Sequence, residues 1–118
     1  MAFLLSAPRS GSSLLLRMLH AHPAIQGLAE PHVLRPLSRL APRHPDASAD
    51  RRERSGRARF FDTLTDAETT HIQACRSYLN TLYGARFETS PPSTRLLVDK
   101  TPANVTVLPF LRSVFPEA

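Results

Sequence analysis

The chain has 118 residues, 15 basic and 10 acidic side chains and a formal net charge of +5, which bounds it at one small domain. No apolar run approaches the roughly 20 residues of a membrane span, and a single cysteine, Cys75, excludes an internal disulfide framework or a zinc site built on paired cysteines. With 42% hydrophobic and 21% charged residues the chain reads as globular rather than wholly disordered. Fourteen of the basic residues are arginines and one is a lysine, Lys100; eleven prolines against four glycines point to long irregular connections.

Ala2 to Ser6 is a short apolar run that meets turn residues at once, and it reads as a buried strand. It has no basic flank before it, and Pro8 and Arg9 interrupt it, so it is read as part of a cytoplasmic domain rather than as a signal peptide. A turn at residues 7–11 leads into a helix beginning near Ser12, with Leu14, Leu15, Met18 and Leu19 as its apolar positions. His22-Pro23 ends this helix, because the residue before proline avoids the helical region. Ile25 to Ala29 reads as a second strand, ending at Glu30-Pro31.

Residues 35–59 hold eight of the fifteen basic side chains and three of the ten acidic ones, leaving seven of each elsewhere. The whole charge excess therefore lies in this segment. It is poor in large apolar side chains and reads as a solvated, partly disordered loop, or else as a patch for an acidic partner. Nucleic acid ranks low as that partner because residues 35–59 lack interleaved aromatics for base stacking.

A long helix is expected at about residues 66–83, with Thr65 and Glu68 as a capping box, Gly84 as its stop, and Ile72, Cys75, Leu79 and Leu82 on one face. Cys75 is thus expected in the core. Pro91-Pro92 marks a loop, and Arg95 to Asp99 reads as another buried strand. From Ala103 to Phe115 the pattern is helical, with Val105, Leu108, Leu111 and Phe115 on one face and Pro109 splitting it. Strand, loop and helix followed by strand, loop and helix favour an α/β domain with a parallel sheet.

The first strand–turn–helix unit carries the chemistry. Its turn, Pro8-Arg9-Ser10-Gly11-Ser12-Ser13, can wrap backbone N–H groups around an anion at a helix N-terminus. Gly11 permits close backbone approach, Ser12 and Ser13 offer hydroxyls, and Arg9 adds charge. The alternative is an arginine-bearing turn with no ligand. It is not a Walker A loop: Ser6 stands at the first glycine position and Ser12 at the lysine, while Gly11 and Ser13 match. The missing lysine argues against ordinary ATP or GTP hydrolysis. His20, His22, His32, His44 and His71 show no metal-ligand spacing, so no metal site is expected. His22 reads as structural. His32, two residues from Glu30, is a secondary candidate for lining an acceptor site.

Three segments together resemble the sulfotransferases that use 3′-phosphoadenosine 5′-phosphosulfate. Phe3 to Leu15 looks like that family's 5′-phosphosulfate-binding loop, with Arg9, Ser10, Gly11, Ser12, Ser13 and Leu14 as the implied donor-binding residues. His22-Pro23 followed by Glu30-Pro31-His32 resembles the tyrosylprotein-type and related branches, where a glutamate at this spacing from the loop arginine is the catalytic base. Taken alone, Glu30 reads as a capping or surface carboxylate. Val98-Asp99-Lys100-Thr101-Pro102, with Leu108 to Leu111 and Phe115 to Ala118, resembles the family's Asp-Lys-Thr-Pro strand end and following helix.

The resemblance implies a partial P-loop-like three-layer α/β fold with a short parallel sheet that stops before the later strands. It implies in-line sulfuryl transfer to a hydroxyl or amine of a small-molecule or peptide acceptor, without metal. Glu30 would take the acceptor proton, and Arg9 and Lys100 would stabilise the developing charge. Four stretches are expected: residues 1–32 with the binding loop and base, 33–65 as a variable Arg/Pro-rich loop, 66–94 as helix and loop, and 95–118 as the Asp-Lys-Thr-Pro strand and helix. The family's 3′-phosphate contacts lie on a later strand, so the 118 residues are expected to be the N-terminal part of such a domain and poorly active alone. Two other classes stay open: a different P-loop phosphotransferase such as a small-molecule kinase, and a noncatalytic basic module working through residues 35–59.

Overall fold

A computed structural model describes residues 1–42, 44 and 50–118. Three strands, β1 (Ala2–Phe3), β2 (Ile25–Ala29) and β3 (Leu96–Lys100), form one parallel sheet in the order β1-β3-β2. The last strand in sequence is therefore the central one. Its register pairs Ala2 with Val98, and Ile25 through Ala29 with Leu96 through Lys100. β1 is shorter than the apolar run from Ala2 to Ser6 suggests; only the Leu4 N–H to Asp99 carbonyl bond, 2.8 Å, carries the ladder further.

The sheet is covered on both faces, giving three layers. Successive side chains of a strand point to opposite faces. On one face Val98 and Gly27 meet helix α1 (Ser12–His20). A Cβ on Gly27 would come within 3.0 Å of Leu16, so the glycine is what lets helix and strand approach. On the other face Leu97, Phe3 and Leu28 pack with α2 (Leu34–Arg39), α4 (Ala67–Glu88) and α5 (Leu108–Val114) around Leu34, Cys75, Leu79, Tyr83, Leu111 and Val114. Cys75 lies in this core, 3.5 Å from His71 Nε2, and burial pushes its thiol up. Burial also holds the His71 imidazole below its ordinary range.

Several local expectations change. Residues 35–59 are not simply a loop: they include most of α2 and of α3 (Arg51–Phe61). Asp50 caps α3 by accepting the Glu53 N–H at 2.8 Å, which supplies a start signal in a segment with little apolar surface. Solvation of this stretch does hold for α3, which buries none of its residues. Arg43 and Asp46, part of the charge excess, lie outside the described residues. The cap of α4 is Asp66, bonded to the Thr69 N–H at 3.0 Å, rather than Thr65 with Glu68. α4 also runs through Gly84 to Glu88, since one interior glycine costs only about 1 kcal/mol.

The buried stripe of α4 is His71, Cys75, Leu79 and Tyr83, one residue on from the expected Leu82, which is exposed. Tyr83 wins the position because its hydroxyl reaches Asp99 Oδ2 at 2.6 Å. The chain after β3 splits as foreseen, into a 3₁₀ segment (Pro102–Val107) and α5, with Pro109 in the first turn of α5. The expected face does not survive the split. Leu111 and Val114 are buried, whereas Val105 and Leu108 are exposed, because a 3₁₀ turn of three residues shifts the phase. In α1, Leu14, Leu15 and Met18 are exposed and Leu16 is the buried leucine.

Candidate functional site

Parallel pairing builds the site. β2 ends level with the end of β3, and the Glu30 N–H donates to the Lys100 carbonyl at 2.9 Å. Lys100 follows Val98 on the α1 face by strand alternation, and the turn before α1 opens at this same carboxyl edge of the sheet. Open α/β sheets bind ligands at such edges. A cleft of about 830 Å³ results, lined by the turn from Pro8 to Ser13, by Glu30, His32 and Lys100, and by Pro102, Ala103, Val105 and Thr106 of the 3₁₀ segment.

The structure thus brings Arg9, Ser10, Gly11, Ser12, Ser13, Glu30 and Lys100 to one place. Leu14 does not join them: it is exposed away from the lining, and its N–H is spent on the Gly11 carbonyl at 2.9 Å. The sequence reading missed Ala103, Val105 and Thr106, which form the wall opposite the turn. Their only available signal was proximity to Lys100 through Pro102.

Backbone conformation marks the same cleft. The described residues with left-handed backbones are Arg9 (φ 64°), Gly11 (φ 80°), Glu30 (φ 53°) and His32 (φ 55°), and all four line it. Non-glycine residues held in this region cost of order 1–3 kcal/mol each, and such strain gathers at functional sites. Gly11 is the N-cap of α1, and no side chain caps the helix there. No acidic residue lies in its first turn, so its leading N–H groups and dipole face the cleft uncompensated. Space where a Cβ of Gly11 would stand is open for 4 Å.

At the cleft floor Lys100 Nζ donates to Glu30 Oε1 at 2.6 Å, and His32 Nε2 lies 3.3 Å from Glu30 Oε2. The pair is asymmetric: the Lys100 side chain is 5% exposed and that of Glu30 44%. The Lys100 hydrogen bond, then its charge, and then His32 hold the Glu30 carboxyl below the usual glutamate range. Beneath, Asp99 is enclosed, accepting from the Thr101 hydroxyl at 2.7 Å as well as from Tyr83. Burial pushes Asp99 up, and the two hydrogen bonds pull against it. The Tyr83 hydroxyl is pushed above its ordinary range by burial and then by Asp99.

A carboxyl lowered on folding contributes stability that is complete above its unfolded value and is lost as pH falls through its folded value. Glu30 starts from 4.5 and is lowered. The stability gap between the native chain and Glu30→Gln is therefore expected to be widest above pH 4.5 and to close as acid is added. Urea midpoints measured across that range check this; a constant gap would contradict it.

His22 and His20 serve the backbone, accepting from the N–H groups of Ala24 (3.1 Å) and Gly27 (3.0 Å). Among the described residues no group of three or more His, Cys, Asp or Glu side chains gathers to hold a metal, and no helix is long and apolar enough to cross a membrane.

A family model described as "Sulfotransferase family" matches residues 2–118, which includes residues 33–94, outside the three segments that carry the resemblance. The nodulation protein NoeE of Sinorhizobium fredii (strain NBRC 101917 / NGR234) is 32% identical over 119 residues, covering 98% of this chain and 26% of that protein. The chain thus spans about a quarter of the length of this curated relative. No solved structure matches it.

Proposed function

The chain belongs to the sulfotransferase family, and from that membership we propose that its cleft binds 3′-phosphoadenosine 5′-phosphosulfate and serves transfer of the sulfuryl group to a hydroxyl or amine acceptor. One observation carries the reading: the buried Lys100 ammonium and the Glu30 carboxylate meet at 2.6 Å, facing an uncapped helix N-terminus. The residues present fit an anionic donor. Open space at Gly11, leading N–H groups free of a side-chain cap, and the positive charges of Arg9 and Lys100 all favour a phosphosulfate.

A bound donor would supply the activated sulfuryl group, its bond to the 5′-phosphate oxygen breaking as the acceptor oxygen or nitrogen bonds to sulfur and adenosine 3′,5′-bisphosphate leaves. The turn from Pro8 to Ser13 holds its 5′-end by backbone N–H groups and hydroxyls. Arg9 and Lys100 offset negative charge where it grows, in a site preorganised before the reaction. Glu30 accepts the proton of the acceptor hydroxyl or amine. In the resting cleft Lys100 weakens Glu30 as a base by holding its carboxyl low. An anion that draws Lys100 toward itself releases that hold, so base strength rises when donor is present.

Calorimetric titration tests the reading. The donor is expected to bind, and Arg9→Ala to abolish that binding. Glu30→Gln is expected to retain binding while lowering transfer of labelled sulfate by about 10²–10⁴-fold, the usual contribution of a general base. Tighter binding of ATP–Mg²⁺ than of the sulfate donor would instead favour a P-loop phosphotransferase.

A further inference from the structure

We infer that α3 is a docking face for an anionic polysaccharide, a chain of sugars bearing sulfate or carboxylate groups. The inference rests on the sulfotransferase reading above for the choice of partner, and on the structure for the surface. At 100° per residue, Arg51, Arg52 and Arg59 fall within one third of the helix circumference, and all three are exposed. Phe61 and Arg57 lie on the opposite side. Phe61 stacks edge-on against His71 of the core with ring centres 6.0 Å apart, and Arg57 Nη1 is shut off from water. These inward contacts orient the helix, so the arginine face must look outward.

No described residue neutralises that face. Among the described residues Arg51, Arg52 and Arg59 have no carboxylate partner, and Glu53 projects from the far side of the helix. Among the described residues these three side chains make one hydrogen bond, and it is local, from Arg59 Nε to the Ser55 carbonyl at 3.3 Å. Two adjacent guanidinium forks and a third about two turns on suit a polyanion, because each can take a sulfate or carboxylate bidentately. Nucleic acid fits less well, since the aromatic residue exposed on α3, Phe60, is turned away from the arginine face and cannot alternate with it as a stacking platform. An anionic membrane fits less well too, because α3 carries no continuous apolar face to insert. Transfer of sulfuryl groups to hydroxyls, as proposed above, leaves anionic sulfate esters on the acceptor, which supplies the chemical match.

The test is fluorescence anisotropy on the intact chain with labelled dextran sulfate, at several salt concentrations. Binding is expected to weaken linearly on a log–log salt plot. Arg52→Gln with Arg59→Gln is expected to weaken it by about tenfold or more, from the loss of two charge-assisted contacts. Arg17→Gln with Arg112→Gln removes the same net charge elsewhere and is expected to change it by less than about threefold. Arg52→Lys with Arg59→Lys should fall between the native chain and the glutamine pair, because charge remains and the fork is lost. Equal losses for the two glutamine pairs overturn the proposal, as does tighter binding of single-stranded DNA or of phosphatidylserine vesicles than of dextran sulfate. Arg52→Gln with Arg59→Gln is expected to leave calorimetric donor binding unchanged while weakening dextran sulfate binding, because neither residue lines the cleft, and this separates failure here from failure of the sulfotransferase reading.

Discussion

Lys100→Met is expected to lower the rate of sulfuryl transfer by about 10²–10³-fold, the cost of removing one preorganised charge contact from a transition state. The side chain is almost fully enclosed, and its ammonium is aimed at the cleft by the last residue of the central strand. Methionine keeps the length and the packing of the stem. Glu30 remains half-exposed after the change and can be solvated, so the fold is expected to persist. Single-turnover transfer of labelled sulfate, with circular dichroism as the fold check, gives the measurement. A rate within about threefold of the native chain would remove Lys100 from the charge-stabilising role. Because Lys100 also depresses Glu30, the Glu30 carboxyl is expected to titrate at higher pH in the variant, and carbon-detected NMR would read that directly.

Leu79→Ala is expected to cost about 2–5 kcal/mol, the range for truncating a fully buried leucine. Leu79 is completely shielded and sits midway along the buried stripe of α4, against the face of the sheet that carries Leu97. Whole domains hold only about 5–15 kcal/mol of net stability, so this one change would consume a large share of it. Denaturant unfolding followed by far-ultraviolet circular dichroism would show a lower midpoint. A shift of less than about 1 kcal/mol would contradict tight packing of Leu79 in this core. The effect reaches the cleft, because β3 is positioned by this core and carries Lys100 at its end. Truncation at Leu82 is expected to matter far less, since that side chain is exposed.

Local features were the most legible. The Ser12 start of α1, β2 at Ile25–Ala29 and the split near Pro109 follow from nearest-neighbour chemistry: a turn before a run of helix formers, an apolar run between turns, and a proline lacking an N–H. The α4 cap was misplaced by one residue because Thr65 and Asp66 both suit the position, and only the bond from the Thr69 N–H distinguishes them. The helical state of residues 51–61 was missed because charge density dominated the reading, while the local cap at Asp50 was sufficient to start a helix. The buried stripe of α4 could not be phased from apolar residues alone. Its deciding member is a tyrosine whose hydroxyl finds a carboxylate sixteen residues away.

Sequence by itself determined the family, the strand–turn–helix unit at the amino end and the residue types available for anion chemistry. These properties live in short segments, where spacing and residue type carry the information. Tertiary structure alone decided that Glu30 and Lys100, seventy residues apart, form a 2.6 Å pair. It did so because β3 inserts between β1 and β2, and the register of that parallel pairing brings the ends of β2 and β3 level. It alone decided that Arg9, Gly11, Glu30 and His32 share a left-handed backbone conformation around one cleft. Local spacing cannot supply such contacts, since they depend on which strands pair and on what burial then demands of the side chains left at their ends.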